Sequence, residues 1–294
     1  HANADDIAKM CDIVEESLQG GALGFSTSRT YLHQTPDGRE VPGTWAAPEE
    51  LLAIGEVMGR LGKGIFECAV DNDRQVHGMV GTPDRTVIAR EVEWMKKLSA
   101  EIERPVTFAL TQNETEPDLW REIMDASIEA ADEGAQLYPQ IAARPFGLMI
   151  GLQTHHAFAK RPTFIRLKEE TSSLAELAAE MSKPENKEAI LAEPNVDPDP
   201  TNLFDGMTDV VAAMPHKLYA IGDPPNYEPG PEDSITARAA RKGVKPQELA
   251  YDLLMENDGK AMRFTARANY SYGDLTVTAE MMQSPHTLIG LGDG

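Results

Sequence analysis

The chain has 294 residues, 41% hydrophobic and 26% charged, enough for one large domain with a substantial core and too apolar for general disorder. Its 48 acidic residues against 27 basic ones give a formal net charge of −21, which disfavours nucleic-acid backbones and anionic membranes as partners and reads as a solvated acidic surface. Cys11 and Cys68 are the two cysteines; they form neither a disulfide framework nor a zinc-finger spacing, and no apolar run reaches the roughly 18 residues of a membrane helix, so a cytoplasmic protein is expected.

Ile7, Met10, Cys11, Val14 and Leu18 recur at helical spacing and predict a helix over 4–19, stopped by Gly20-Gly21. Ala22-Leu23-Gly24-Phe25-Ser26 follows as a strand, and a loop rich in Pro, Gly and charge runs from about Tyr31 to Ala47. Pro48-Glu49-Glu50 opens a second helix with Ile54, Val57, Met58 and Leu61 on its apolar stripe and Gly62 at its end. A strand is expected over 64–68. A long helix is marked by Val87, Ile88, Val92, Met95, Leu98 and Ile102, and a strand follows over 105–110. Leu119, Ile123, Met124 and Ile128 mark the next helix, closed by Gly134, and 136–141 is a further strand.

The segment 151–215 is less regular and reads as a helical insertion, with Ser173-Leu174-Ala175-Glu176 as a capping-box pattern. The rhythm returns with a strand over 217–221, helices over 234–241 and 246–256, and a last strand over 287–291 that ends in Gly292-Asp293-Gly294. Six strands alternating with helices imply parallel βαβ units in an α/β fold; an open doubly wound sheet and a partial barrel both fit. In either, polar residues at the C-terminal tips of the strands build the site. The chain opens on His-Ala-Asn-Ala rather than Met and stops just past a strand, so an internal piece of a longer protein is expected.

The run from Gly20 to Ser28 lacks the Gly-Lys-Ser/Thr ending of a phosphate loop, so its glycines read as a helix stop and a tight strand entry, while hydroxyls such as Ser26 are placed to line a pocket. His155-His156 are adjacent, a poor arrangement for two ligands on one ion, and a surface or loop role is favoured. Cys68 reads as a buried small hydrophobe rather than a nucleophile, no partner histidine being placeable. Asp293, between two glycines after an apolar strand, is equally a turn residue or a carboxylate able to bind a metal and take a proton from water. Arg144 follows a strand and is either a surface cation or a fork for a substrate carboxylate; Asp223, in a turn after a strand, reads as a capping residue.

The segment from Gly21 to Ser28, with Tyr31 shortly after, resembles a signature of amidohydrolase family 3, which includes the D-aminoacylases (N-acyl-D-amino-acid deacylases). The ending Thr287-Leu288-Ile289-Gly290-Leu291-Gly292-Asp293-Gly294 looks like that family's last barrel strand and its aspartate, and Pro139 to Pro145 and Gly222-Asp223-Pro224-Pro225 resemble one branch of it. The resemblance covers essentially the whole chain and implies a metal-dependent (β/α)8 TIM barrel of which about six βα units are present over 1–294. The first two strands, the His-x-His metal pair and a small β-domain would lie outside.

By that resemblance the activity is hydrolysis of non-peptide C–N bonds in linear amides, and the cofactor of the intact enzyme is a divalent metal, zinc by preference. Asp293 would be a metal ligand and the proton-transfer group, with Glu67 a further possible ligand. Arg144, Tyr31, Gln112, Gln140 and Ser26 would contact a small-molecule amide. Gln112 and Gln140 stand at strand ends where many relatives carry histidine, and neutral amides are poor ligands for a zinc-like ion. A cyclic-amide hydrolase (dihydropyrimidinase- or hydantoinase-like) and a catalytically degenerate barrel acting as a binding protein are the alternatives. The 294-residue piece alone is expected to be inactive. Oligomeric state is left open.

Overall fold

The computed structural model describes residues 2–30, 33–70, 85–199, 203–222 and 224–290. In chain order its elements begin with α1 (Ala4–Gln19), β1 (Gly24–Ser28), α2 (Pro48–Leu61), β2 (Ile65–Ala69), α3 (Arg85–Ile102), β3 (Val106–Ala109), α4 (Leu119–Asp132) and β4 (Leu137–Ile141). They continue with β5 (Phe146–Ile150), α5 (Pro162–Glu170), α6 (Leu174–Met181), α7 (Pro184–Ala192), α8 (Met207–Ala213) and β6 (Leu218–Ala220). The last are α9 (Ile235–Lys242), α10 (Pro246–Leu254), β7 (Arg263–Ala268), α11 (Thr276–Gln283) and β8 (Leu288–Ile289). No described helix is long and apolar enough to cross a membrane.

The chain divides into two compact units, one formed by the segments up to Ala143 and from Thr276 onward, the other by Arg144–Leu275. In the first, β1, β2, β3, β4 and β8 form one parallel sheet in that order. The helix limits follow the local chemistry. Asn3 accepts from the backbone N–H groups of Asp5 and Asp6 while Asp6 answers the Asn3 N–H, a complete capping box for α1. Pro48 fills the first turn of α2, where its missing N–H is of no consequence, and Gly62 ends the helix at φ 63°, the left-handed conformation glycine adopts without strain.

Strand parity sorts the side chains. Phe25, Phe66, Val106 and Leu137 form one register row, and Cys68 and Phe108 lie in the next row on the same face. Except for half-buried Phe25 these are fully enclosed, packed with Leu18 of α1, Ile54 and Met58 of α2, Met95 and Leu98 of α3 and Ala130 of α4. Val277 and Met281 of α11 join Ile141 on that face through Trp120 and Met124. Helices α1 to α4 and α11 therefore contribute apolar side chains to one face of the sheet. Parallel strands added one after another through right-handed crossovers produce this arrangement, whereas a doubly wound sheet reverses its strand order and carries helices on both faces. Of the two α/β architectures the sequence allows, the described sheet has the singly wound order.

The second unit holds an antiparallel sheet, β5-β7-β6, with β7 in the middle. Phe158, Phe164, Leu167, Met181 and Tyr251 form one apolar cluster, and Ile150, Leu218, Ile235, Leu249 and Leu253 another.

This corrects one expectation. The strand over 217–221 exists as β6, but it pairs antiparallel with β7 instead of extending the parallel run, so the described parallel sheet has five strands rather than six. The central strand of that sheet escapes an apolar scan. β7 reads Arg-Phe-Thr-Ala-Arg-Ala, and Arg263 can be buried within it because its guanidinium donates to the carbonyls of Met262 and Leu253 and pairs with Glu256. β5 carries Gly147, where any side chain would strike the Thr265 carbonyl of the facing strand.

Candidate functional site

The sheet face turned away from the helices carries polar side chains. Ser26 of β1, Glu67 of β2, Thr107 of β3 and Tyr138 of β4 occupy one register row across four strands. Gln140 stands two residues further along β4 on the same face. Gly24, Ser26, Ile65, Glu67, Thr107 and Gln140 line an open depression of about 390 Å³. Ser26 and Glu67 are exposed, Gln140 is half-buried, and the buried Thr107 hydroxyl donates to the Tyr138 carbonyl at 2.7 Å. Gly24 lets the first strand reach this position: a Cβ there would lie 2.0 Å from the Ile65 carbonyl oxygen.

Three of the residues singled out from the sequence, Ser26, Glu67 and Gln140, thus share this face. Gln112 lies beyond β3, buried, with its side-chain amide donating to the Pro117 carbonyl at 3.4 Å, a brace for the loop before α4. Arg144 belongs to the second unit, where its guanidinium sits 5.5 Å from the centre of the Tyr227 ring and donates to the Pro145 carbonyl at 3.2 Å. Asp293, Tyr31 and Asp223 lie outside the described residues.

Glu67 and Cys68, both weighed as chemistry-bearing, are separated by the pleat. Cys68 points into the helix-side core at 1% exposure, and burial, reinforced by the nearby Glu91 carboxylate, pushes its thiol well above the ordinary range. It is the small hydrophobe the sequence indicated, and its thiolate is not available as nucleophile or ligand. His155 and His156 follow β5 in a loop, as expected, but only His155 is exposed; His156 is 1% exposed.

Two pairings at the C-terminal end of β1 were not foreseen. Arg29, directly after the strand, makes a two-pronged ion pair with Glu91 of α3, Nε to Oε2 at 2.8 Å and Nη2 to Oε1 at 2.9 Å, and also donates to the Ala46 carbonyl. Arg29 is 6% exposed and Glu91 4% exposed, and the guanidinium lies 5.4 Å from the Trp94 ring centre. Ser28 Oγ is 2.7 Å from His33 Nδ1. A sequence signal existed only for Glu91, which sits directly before Val92 on the apolar stripe of α3 where a solvated face would not be expected.

The donor chemistry of the open face tests the metal implied by the sequence resemblance. Its oxygens are one carboxylate, Glu67, with the neutral groups of Ser26, Thr107, Tyr138 and Gln140. A zinc-like ion calls for several imidazole, thiolate or carboxylate ligands, and no cluster of three such residues occurs among the described residues. The described face by itself does not fit a tightly held zinc.

The fold is a mixed α/β one, built on a singly wound parallel sheet with its helices on one face and a separate antiparallel unit. No family model and no curated protein matches the chain. Among solved structures it is similar to a D-aminoacylase, described as defining a novel subset of amidohydrolases, at TM-score 0.36 and 20% identity over 66% of this chain and 38% of that one. It is also similar to a D-hydantoinase at TM-score 0.32 and 11% identity over 84% of this chain and 51% of that one. The chain therefore spans from under two fifths to about half the length of these structures.

Proposed function

We propose that the chain is the central part of an amidohydrolase-type enzyme that hydrolyses non-peptide C–N bonds in linear amides, N-acyl amino acids of the D series being the first substrates to try. The observation that carries this reading is the polar row Ser26–Glu67–Thr107–Tyr138, with Gln140 beyond it, on the helix-free face of a sequentially ordered parallel sheet. In a closed barrel that face lines the interior, where a polar lining is used by a site and otherwise costs core packing. The family-3-like segments around Gly21–Ser28 and Thr287–Gly294 support the same reading from the sequence. Completing the cylinder, and supplying ligands for a divalent ion, falls to residues outside the described ones, Asp293 among them.

On this reading the side chains of Ser26, Thr107 and Gln140 hydrogen-bond and orient the amide, and Tyr31 is assigned to its carboxylate end. Asp293 takes a proton from the attacking water and returns it to the departing nitrogen, so the acyl C–N bond is exchanged for a carboxylate and a free amine. The test is turnover of N-acetyl-D-amino acids by the full-length protein, against hydantoins and dihydropyrimidines as the cyclic alternative. Asp293→Asn is expected to lower kcat by about 100-fold or more. Wild-type turnover in that variant refutes the proton-transfer role. A full-length protein that turns over none of these amides and purifies without a stoichiometric divalent metal refutes the enzyme reading in favour of a barrel that binds without catalysis.

A further inference from the structure

The second unit holds a half-open cavity of about 430 Å³, within the range of small-molecule pockets. Its wall is largely apolar, with Ile150, Phe158, Leu218 and Leu254 among the lining side chains, and His156 and Arg263 also line it. Both are more than nine-tenths buried, and each has one ring or guanidinium nitrogen without a hydrogen-bond partner, His156 Nε2 and Arg263 Nε. Buried polar atoms are nearly always paired, so two unanswered ones on a single cavity point to a missing partner.

Both atoms are donors. His156 Nδ1 accepts the Phe158 backbone N–H at 3.2 Å, so it carries no proton. Burial keeps the ring neutral, its pKa pushed down to about 3, which leaves the proton on Nε2. Arg263 is held by its two terminal nitrogens, Nη1 on the Met262 carbonyl at 2.8 Å and Nη2 on the Leu253 carbonyl at 3.2 Å and on Glu256. That grip fixes the guanidinium and leaves Nε–H over. The lining itself carries cations only, the Glu256 partner of Arg263 not being part of it. Lys245 joins Arg263 on the lining, and none of the 15 lining residues is acidic, in a chain with 48 acidic residues of 294. A group that can answer N–H donors such as these on the wall of a largely apolar chamber is a carboxylate with a hydrocarbon or aryl tail.

We propose that the second unit holds a binding site for a small apolar monocarboxylate, its head group received by His156 Nε2–H and Arg263 Nε–H and its tail lying against Ile150, Leu218 and Leu254. The site uses none of the residues of the sheet-face reading and stands or falls independently of it.

Titration calorimetry on the full-length protein tests this with octanoate and 4-phenylbutyrate, and with 1-octanol as the tail without the charge. Saturable one-to-one binding of a carboxylate is expected, at least tenfold tighter than octanol. His156→Phe keeps the ring volume and removes the donor, and is expected to weaken octanoate at least tenfold. Ala250→Phe fills the chamber and is expected to abolish binding, with circular dichroism confirming that both variants fold. The proposal is overturned if neither carboxylate saturates by 1 mM, or if octanol binds as tightly as octanoate, a comparison made on the wild-type protein alone. It is equally overturned if the two folded variants bind octanoate as the wild type does.

Discussion

Replacing Glu91 by alanine strands a charge. In the folded protein the Arg29 guanidinium is 6% exposed and gives two of its N–H groups to the Glu91 carboxylate at 2.8 and 2.9 Å. Truncation removes the counter-charge and leaves those donors buried beside Trp94 and the Ala46 carbonyl. Losing one partner of a buried pair costs about 3–5 kcal/mol, whereas exchanging both partners for apolar groups of similar size is often close to neutral. With a urea m-value of about 3 kcal/mol/M, Glu91→Ala should lower the denaturation midpoint by roughly 1–1.7 M. Arg29→Met combined with Glu91→Leu should recover most of that loss. Tryptophan fluorescence of the full-length protein is a suitable local probe, because Trp94 lies 5.4 Å from the guanidinium. A single-variant loss below about 1 kcal/mol, or a double variant as unstable as Glu91→Ala, refutes the claim that the pair acts as a buried charge needing its partner.

Other outcomes follow from the same reasoning. His156 is buried neutral with a folded pKa of about 3 against an ordinary 6.5, so below pH 6.5 the unfolded chain takes up a proton that the folded one refuses, and wild-type stability falls as pH drops toward 3. His156→Phe lacks this dependence, and the stability gap between it and wild type should shift by about 2 kcal/mol between pH 7 and pH 5 in urea titrations; an unchanged gap refutes the buried neutral ring. Gly24→Ala places a methyl 2.0 Å from the Ile65 carbonyl and should destabilise the first unit by about 1–3 kcal/mol, seen as a lower melting temperature, whereas Gly134→Ala meets no atom within 4 Å and is opposed only by its φ of 95°. Iodoacetamide labelling read by peptide mass spectrometry should leave Cys68 unmodified until urea unfolds the protein, since its thiol is enclosed and its pKa raised.

The parallel sheet was legible because its strands announce themselves. The runs at 64–68, 105–110 and 136–141 are short and apolar, each is followed or preceded by a helix with a clear stripe and a glycine stop; β3 and β4 fall inside theirs and β2 runs one residue past its own. The antiparallel unit was not, because its central strand spends two of six positions on arginine and one of those is buried by pairing that no linear pattern displays. The site divides in the same way. Ser26, Glu67 and Gln140 could be named from their places in strands, and Thr107 was accessible to strand parity alone, three residues before the apolar end of its run. The Arg29–Glu91 pair spans 62 positions and the two donors that line the second unit's cavity span 107, separations at which only the folded chain relates side chains.

The neighbours β4 and β8 pair Ile141 with Ile289, 148 positions apart, and the whole of Arg144–Leu275 is threaded between them. Closing so long a loop while the intervening chain is disordered costs roughly 4 kcal/mol of entropy, several times what a strand of two residues recovers. Collapse of the threaded segment would shorten the tether, and on this entropy argument β8 is expected to dock last. A lesion deep in the insertion should therefore reveal itself elsewhere, as an uncapped β4 border recruiting strands from other chains and as loss of soluble protein.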